Sequence, residues 1–116
     1  MKLAIVGSRK FDDYAQLLAN IPEGVTEIVS GGAAGADALA EKYADEHSLP
    51  KKIFLPKFKS DPSVGYHPGH FHQRNKQIAE YADTVLAFMP HGGSKGTQST
   101  LNYAKKAKTP CRVVYF

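Results

Sequence analysis

Two glycine-rich turns are the parts of this sequence best suited to hold a ligand. The first is "SGGAAGAD" at residues 30–37, in which every residue before the acid is Ser, Gly or Ala. Glycine permits positive φ and close approach of a ligand to the backbone, and a helix that begins there presents free N–H groups to an anion. The second is "GGSKGT" at residues 92–97, which adds two hydroxyls and a lysine ammonium group. Both turns are therefore typical of phosphate binding.

A single turn of this kind also has a purely structural explanation, because tight packing between a strand and a helix requires small residues. Two such turns with basic residues nearby favour an anion site over packing alone. Neither turn is a Walker A loop. The segment "GGAAGAD" lacks the Gly-Lys-Ser/Thr ending, and "GGSKGT" has its lysine before the last glycine.

Four polar side chains near the turns could contact such a ligand. The guanidinium of Arg9 can fork onto a phosphate or carboxylate. Arg74 can neutralise a phosphate at the mouth of a site, and Asn75 can bind the edge of a sugar or base. Asp37 falls in the first turn of a predicted helix, where it either complements the helix dipole or accepts a hydrogen bond from a ribose hydroxyl. Because a carboxylate repels phosphate, we expect Asp37 to face the sugar.

The candidate site residues all lie at or beside these segments. Arg74 and Asp37 are the candidate catalytic residues, for charge stabilisation and proton transfer. The candidate ligand-binding residues are Gly7, Ser8, Arg9, Ser30, Gly31, Gly32, Ala33, Gly35, Asp37, Arg74, Asn75, Gly92, Gly93, Ser94, Lys95, Gly96 and Thr97.

The histidines of "HPGHFH" at residues 67–72 invite a zinc site. No cysteine lies nearby and no acid has a matching spacing, so we predict no metal site. We interpret the segment as part of a polar lid, in which one histidine could carry a proton. No motif implies a cofactor.

The bulk composition indicates one ordinary domain spanning residues 1–116. At this length and 42% hydrophobic content, the chain can bury roughly two-thirds of its unfolded surface. No segment reaches the ~18 apolar residues of a membrane span, and no signal peptide is indicated, so we expect a cytoplasmic protein without a membrane partner.

Cys111 is the single cysteine, and we expect it to be buried. The net charge of +4 is compatible with an anionic partner but is weak support for one.

The elements that must position these residues alternate between strand and helix. Continuous apolar runs, typical of strands buried on both faces, occur at residues 3–6, 27–30, 53–55, 84–89 and 112–116. Helix-like segments separate them. The pattern predicts an α/β fold, a Rossmann-like three-layer sandwich with a five-stranded parallel sheet and helices on both faces. Ligands of such sheets bind beyond the carboxyl ends of the strands, where the glycine turns fall. The polar connection at residues 56–70 is predicted to be a loop or lid.

The segments "VGSRKF", "VSGGAAGAD", "QRN" and "GGSKGT", in this order, resemble the SLOG superfamily, and most closely its small YspA/cpYpsA-related branch. The resemblance spans nearly the whole chain. It implies a Rossmann-like domain that binds nucleotides or nucleotide-derived ligands, with these four motifs lining the site. The superfamily includes LOG phosphoribohydrolases, which cleave the base from a nucleoside monophosphate, DNA-processing DprA proteins, and sensor domains.

The resemblance to the LOG enzymes is incomplete. Those enzymes carry a "PGGxGTxxE" loop, whose glutamate is thought to assist cleavage, and an arginine on the preceding helix, which Arg74 matches. Here "HGGSKGTQST" has His91 in place of the proline, one extra residue before Gly96, and Thr100 where the glutamate would fall. Hydrolysis of a glycosidic bond usually relies on a carboxylate. The enzymatic activity is therefore uncertain.

Our first hypothesis is a module that binds a nucleotide-type small molecule for sensing, sequestration or processing. The alternative is a nucleotide N-glycosidase or phosphoribohydrolase-like enzyme that acts at the ribose. DprA-like nucleic-acid binding is a weaker alternative, which requires a basic track and a strong salt dependence. A structural or partner-binding module is the remaining one. LOG-like proteins commonly pair, so a homodimer is compatible with the sequence.

Overall fold

The computed structural model describes residues 1–116, in which five strands alternate with helices. In chain order the elements are β1 (Lys2–Gly7), α1 (Tyr14–Asn20), β2 (Glu27–Ser30), α2 (Ala36–Glu46), β3 (Lys51–Ile53), α3 (Lys57–Ser60), α4 (Gly69–Tyr81), β4 (Thr84–Met89), α5 (Lys95–Ala107) and β5 (Cys111–Tyr115).

The strands form one parallel sheet in the order β3-β2-β1-β4-β5. On one face, Leu3 and Ile5 of β1 pack against the small residues of α2. On the other face, Ala4 and Val6 pack against α4 and α5. The predicted Rossmann-like sandwich with a five-stranded parallel sheet is therefore confirmed.

The strand order places a topological switch point between β1 and β4. The chain leaves β1 towards β2 through α1 on one face, and leaves β4 towards β5 through α5 on the other face. The two connections diverge at the carboxyl ends of these adjacent strands, which opens a crevice between them. Two of the glycine-bearing segments begin at this crevice.

Two side chains define helix starts on either side of the sheet. Asp13 caps α1 by accepting a hydrogen bond from the Gln16 amide at 3.0 Å. Ser94 caps α5 by accepting one from the Thr97 amide at 3.4 Å. Serine and aspartate are favoured at this position because they satisfy amides that have no partner within the helix.

Three sequence-based expectations differ from the structure at the edges of the fold. Strand β3 covers residues 51–53 rather than 53–55, because an edge strand pairs on one side and tolerates the exposed Lys51 and Lys52. The segment predicted as a loop contains helix α3. Cys111 is exposed rather than buried, because it begins the other edge strand, β5. No helix has the length and apolar character that a bilayer crossing requires.

Candidate functional site

A cavity of about 380 Å³ lies at the switch point, beyond the carboxyl ends of β1 and β4. It draws on the β1–α1 turn, the β2–α2 turn, helix α4 and the start of α5. Its lining residues are Val6, Gly7, Ser8, Arg9, Lys10, Ala33, Asp37, Phe71, Arg74, Asn75, Ile78, Ser94, Gly96, Thr97 and Thr100.

The β1–α1 turn is held rigidly against the sheet. A Cβ added to Gly7 would lie 2.6 Å from the Phe88 carbonyl oxygen and 2.9 Å from the Cβ of Ala36, so only glycine fits. The Ser8 amide donates to the Phe88 carbonyl at 3.2 Å, and the Ser8 carbonyl accepts from the Ala36 amide at 3.3 Å. These contacts position the backbone of the next two residues, Arg9 and Lys10, whose exposed basic side chains line the rim of the cavity.

The glycines of the β2–α2 turn serve its backbone geometry. Gly32 and Gly35 have φ values of 71° and 72°, and a Cβ on Gly35 would overlap the Ser8 carbonyl oxygen. Two amides of this turn already have side-chain acceptors inside the protein: Gly32 donates to Ser30 Oγ at 3.3 Å, and Ala33 donates to Asp37 Oδ2 at 3.2 Å. A carboxylate of the protein thus occupies the position where the sequence suggested an external anion.

The β4–α5 turn is open by comparison. A Cβ added to Gly92, Gly93 or Gly96 would meet no atom within 4 Å. The Ser94 hydroxyl accepts from the Thr97 amide and also from the Thr97 hydroxyl, the latter at 3.0 Å. The remaining amides of the first turn of α5 have no acceptor within the helix, and the helix dipole adds positive potential there. This end of the cavity is suited to an anion.

Arg74 and Asn75 connect the two turns. Arg74 Nη1 donates to the Gly31 carbonyl at 2.7 Å, and its Nε donates to Asn75 Oδ1 at 2.9 Å. Asn75 Nδ2 in turn donates to the Gly96 carbonyl at 3.5 Å. The Nη2 group of Arg74 makes no hydrogen bond to the protein, so it is free to bind a ligand. Helix α4 thereby fixes the distance between the β2–α2 and β4–α5 turns.

Asp37 is the only acidic residue of the cavity, and its side chain is buried. Burial raises the pKa of its carboxyl to about 6, against the opposing effects of the Ala33 amide and the positive charge of Arg74. Burial also lowers the pKa of Arg74, an effect opposed by Asp37 and reinforced by the neighbouring Arg9. The cavity thus combines two mutually repelling guanidinium groups with a carboxyl group that titrates near neutral pH.

No direct ion pair relieves this repulsion. The three ion pairs of the molecule join lysines and acids on α2 and β3, far along the chain from Arg9 and Arg74. A Cβ on Gly31 would lie 2.6 Å from Arg74 Nη1 and 2.9 Å from Asp37 Oδ2, so the two groups are neighbours across this glycine without pairing. The excess positive charge in the cavity is therefore available to an anionic ligand.

The structure brings together most of the residues predicted for the site. Those that line the cavity are Gly7, Ser8, Arg9, Ala33, Asp37, Arg74, Asn75, Ser94, Gly96 and Thr97. Those that lie outside its lining are Ser30, Gly31, Gly32, Gly35, Gly92, Gly93 and Lys95. Two of these contact lining residues: the Ser30 hydroxyl donates to the Asp37 carbonyl, and the Gly31 carbonyl accepts from Arg74.

Several lining residues were not among the predicted site residues. Lys10 follows Arg9 and could have been found from its place in the turn. Phe71 lies one helical turn before Arg74 on α4, so its side chain reaches the same cavity. Val6 and Ile78 belong to the core pattern and carry no signal for a site. Thr100 donates to the Gly96 carbonyl at 3.4 Å.

Comparisons with known proteins identify a family for half of the chain and a fold for nearly all of it. The family model described as "YspA, cpYpsA-related SLOG family" matches residues 1–60. No curated protein matches the chain. A similar solved structure is that of DNA processing protein A from Helicobacter pylori, in work on its single-stranded DNA binding mode, with a TM-score of 0.69 and 24% identity. The alignment covers 97% of this chain and 64% of that chain, and at this identity the likeness shows the fold alone.

Proposed function

This chain belongs to the YspA, cpYpsA-related SLOG family, and we propose that it binds a nucleotide or a nucleotide-derived phosphorylated ligand in the cavity at the switch point. One observation carries the proposal. Arg9, Lys10 and Arg74 line a cavity that contains a single carboxylate, and the two guanidiniums repel each other. A phosphoryl group supplies the missing negative charge.

In this proposal the phosphoryl group binds between the first turn of α5 and the guanidiniums of Arg9 and Arg74. The start of a helix presents free N–H groups to a phosphate, and an arginine can bind it through two parallel hydrogen bonds. Asp37 lies across Gly31 from Arg74 and would repel the phosphoryl group, so it faces the ribose and accepts a hydrogen bond from a ribose hydroxyl. Phe71 forms an apolar wall that can pack against the base.

Isothermal titration with adenosine 5′-monophosphate, inorganic phosphate and adenosine tests this assignment. We expect the monophosphate to bind more tightly than either part alone. Replacing the exposed Arg9 with Ala should weaken binding about 10-fold or more, since a charge-assisted hydrogen bond contributes roughly 1.5–3 kcal/mol. Lys105→Ala, which removes an exposed charge from the last turn of α5, is the matched control. Equal affinities for the two variants would overturn the proposal.

Hydrolysis at the ribose is a second candidate function, favoured by the raised pKa of Asp37. A carboxyl group with a pKa of about 6 can exchange protons near neutral pH. Incubation with a panel of nucleoside monophosphates, followed by chromatography for free base, tests it. Release of base that Asp37→Asn abolishes would support an enzyme, and binding without any product would reject this second function.

Nucleic-acid binding is a further candidate because the similar DNA processing protein A structure was studied for single-stranded DNA binding. Phosphate contacts release counterions, so this function requires an affinity that falls steeply with salt. Titration of a single-stranded oligonucleotide at two salt concentrations tests it. A flat response would reject DNA binding and leave the small-molecule proposal intact.

A further inference from the structure

A second polar cleft shares Arg74 with the main cavity. It has a volume of about 310 Å³ and is lined by Leu55, Lys57, Ser60, His70, Gln73, Arg74 and Gln77. No acidic residue is among these, and all but Leu55 can donate hydrogen bonds. The cleft is therefore suited to an anionic group that accepts hydrogen bonds.

One face of α4 supplies most of the donors. His70, Gln73, Arg74 and Gln77 follow the helical spacing that brings side chains to the same side. Neither glutamine side chain has a hydrogen-bond partner in the protein, so both are free for a ligand. His70 Nδ1 is the only buried side-chain nitrogen or oxygen atom in the molecule without a partner.

Helix α3 forms the opposite wall and is anchored by aromatic contacts. The ring of Phe58 packs on that of Phe71 with centroids 5.4 Å apart, and on that of Tyr66 at 5.1 Å. The same ring stacks against the imidazole of His70, with centroids 6.0 Å apart and an interplanar angle of 23°. These contacts place Lys57, which forms no ion pair, beside the cleft.

Arg74 is the only residue that lines both the main cavity and this cleft. We propose that the ligand carries a second phosphoryl group, which binds in the α3–α4 cleft while the first binds at the start of α5. This inference rests on the proposed nucleotide binding. Two of the guanidinium nitrogens are already bonded to Gly31 and Asn75, which holds the group between the two sites. The ligand class is a nucleotide with two separated phosphoryl groups, either a nucleoside bisphosphate or a dinucleotide.

Isothermal titration with three probes tests the inference: adenosine 5′-monophosphate, adenosine 3′,5′-bisphosphate and the 5′-phosphorylated dinucleotide pApA. At least one of the last two should bind about 10-fold more tightly than the monophosphate. The probe that gains affinity identifies the source of the second phosphoryl group.

The double variant Lys57→Ala with Gln73→Ala should abolish this gain and leave monophosphate affinity within about twofold of the wild type. Both residues are exposed, so the fold should survive, which thermal unfolding verifies. Lys59→Ala, which removes a charge from the same helix outside the cleft, is the control and should retain the gain. If the monophosphate binds and the other probes gain nothing, or if the double variant keeps the gain, the second site is rejected. If no probe binds, the proposed function fails with it.

Discussion

At the scale of single residues, Asp37 links the cavity to the stability of the protein. Its pKa is about 6 in the folded chain and near 3.8 when exposed to water. Between these values the folded state binds more protons than the unfolded state, so the free energy of unfolding falls as the pH rises from about 4 to about 6 and then levels off. A pKa difference of about two units corresponds to roughly 3 kcal/mol.

We expect Asp37→Asn to remove this part of the pH dependence. Asparagine keeps an oxygen that can accept from the Ala33 amide but cannot ionise. Urea unfolding at pH 4.5 and pH 7.5 should therefore show a smaller loss of stability in the variant than in the wild type, by roughly 2 kcal/mol. Because the other titrating groups are the same in both proteins, their contributions cancel when the two changes in stability are subtracted. Parallel pH profiles would mean that burial does not raise the pKa of this carboxyl.

Gly7 and Gly96 differ in the space that surrounds them, so the same substitution should have opposite effects on stability at the two positions. A Cβ on Gly7 meets the Phe88 carbonyl oxygen at 2.6 Å, whereas a Cβ on Gly96 meets nothing within 4 Å. Gly7→Ala should destabilise the protein by about 1–3 kcal/mol through overpacking against backbone. Gly96→Ala should stabilise it by up to about 1 kcal/mol, because alanine is a better helix former. Denaturant unfolding of both variants checks this, and a similar change at the two positions would contradict the packing described here.

At the scale of elements, the start of α5 combines a helix cap with part of the cavity lining. The Ser94 hydroxyl accepts from the amide and the hydroxyl of Thr97, and both residues line the cavity. Ser94→Ala should cost about 1 kcal/mol of stability, the usual effect of removing a helix cap. It should also weaken binding of adenosine 5′-monophosphate, because the first turn becomes less ordered. Asp13→Ala removes the cap of α1 away from the cavity and should affect stability alone.

The elements also show how far the sequence predicts the site. Continuous apolar runs and glycine turns predicted the sheet and the edge at which the turns meet. The space around each glycine depends on neighbouring elements, which the local sequence does not reveal. Gly35 packs against the Ser8 carbonyl, whereas Gly96 lines the open cavity. Helix α3 has only four residues, too few for a periodic pattern, so its contribution to the second cleft had no sequence signal.

At the scale of the whole molecule, a ligand that joins the β1–α1 turn, α4 and α5 should stabilise the entire fold. These segments come from distant parts of the chain, and a ligand that contacts all of them binds the folded state alone. A ligand at 100 times its dissociation constant adds about 2.7 kcal/mol to the free energy of unfolding. For a domain of 116 residues this corresponds to a rise in Tm of roughly 10 °C.

Thermal unfolding monitored by circular dichroism, with and without adenosine 5′-monophosphate, measures this shift. The Arg9→Ala variant should have a Tm close to that of the wild type without ligand, because its side chain is exposed, and a smaller shift at the same ligand concentration. Lys105→Ala should keep the full shift. A ligand that raised the Tm of all three proteins equally would bind elsewhere on the molecule, because binding in the proposed site requires the charge of Arg9.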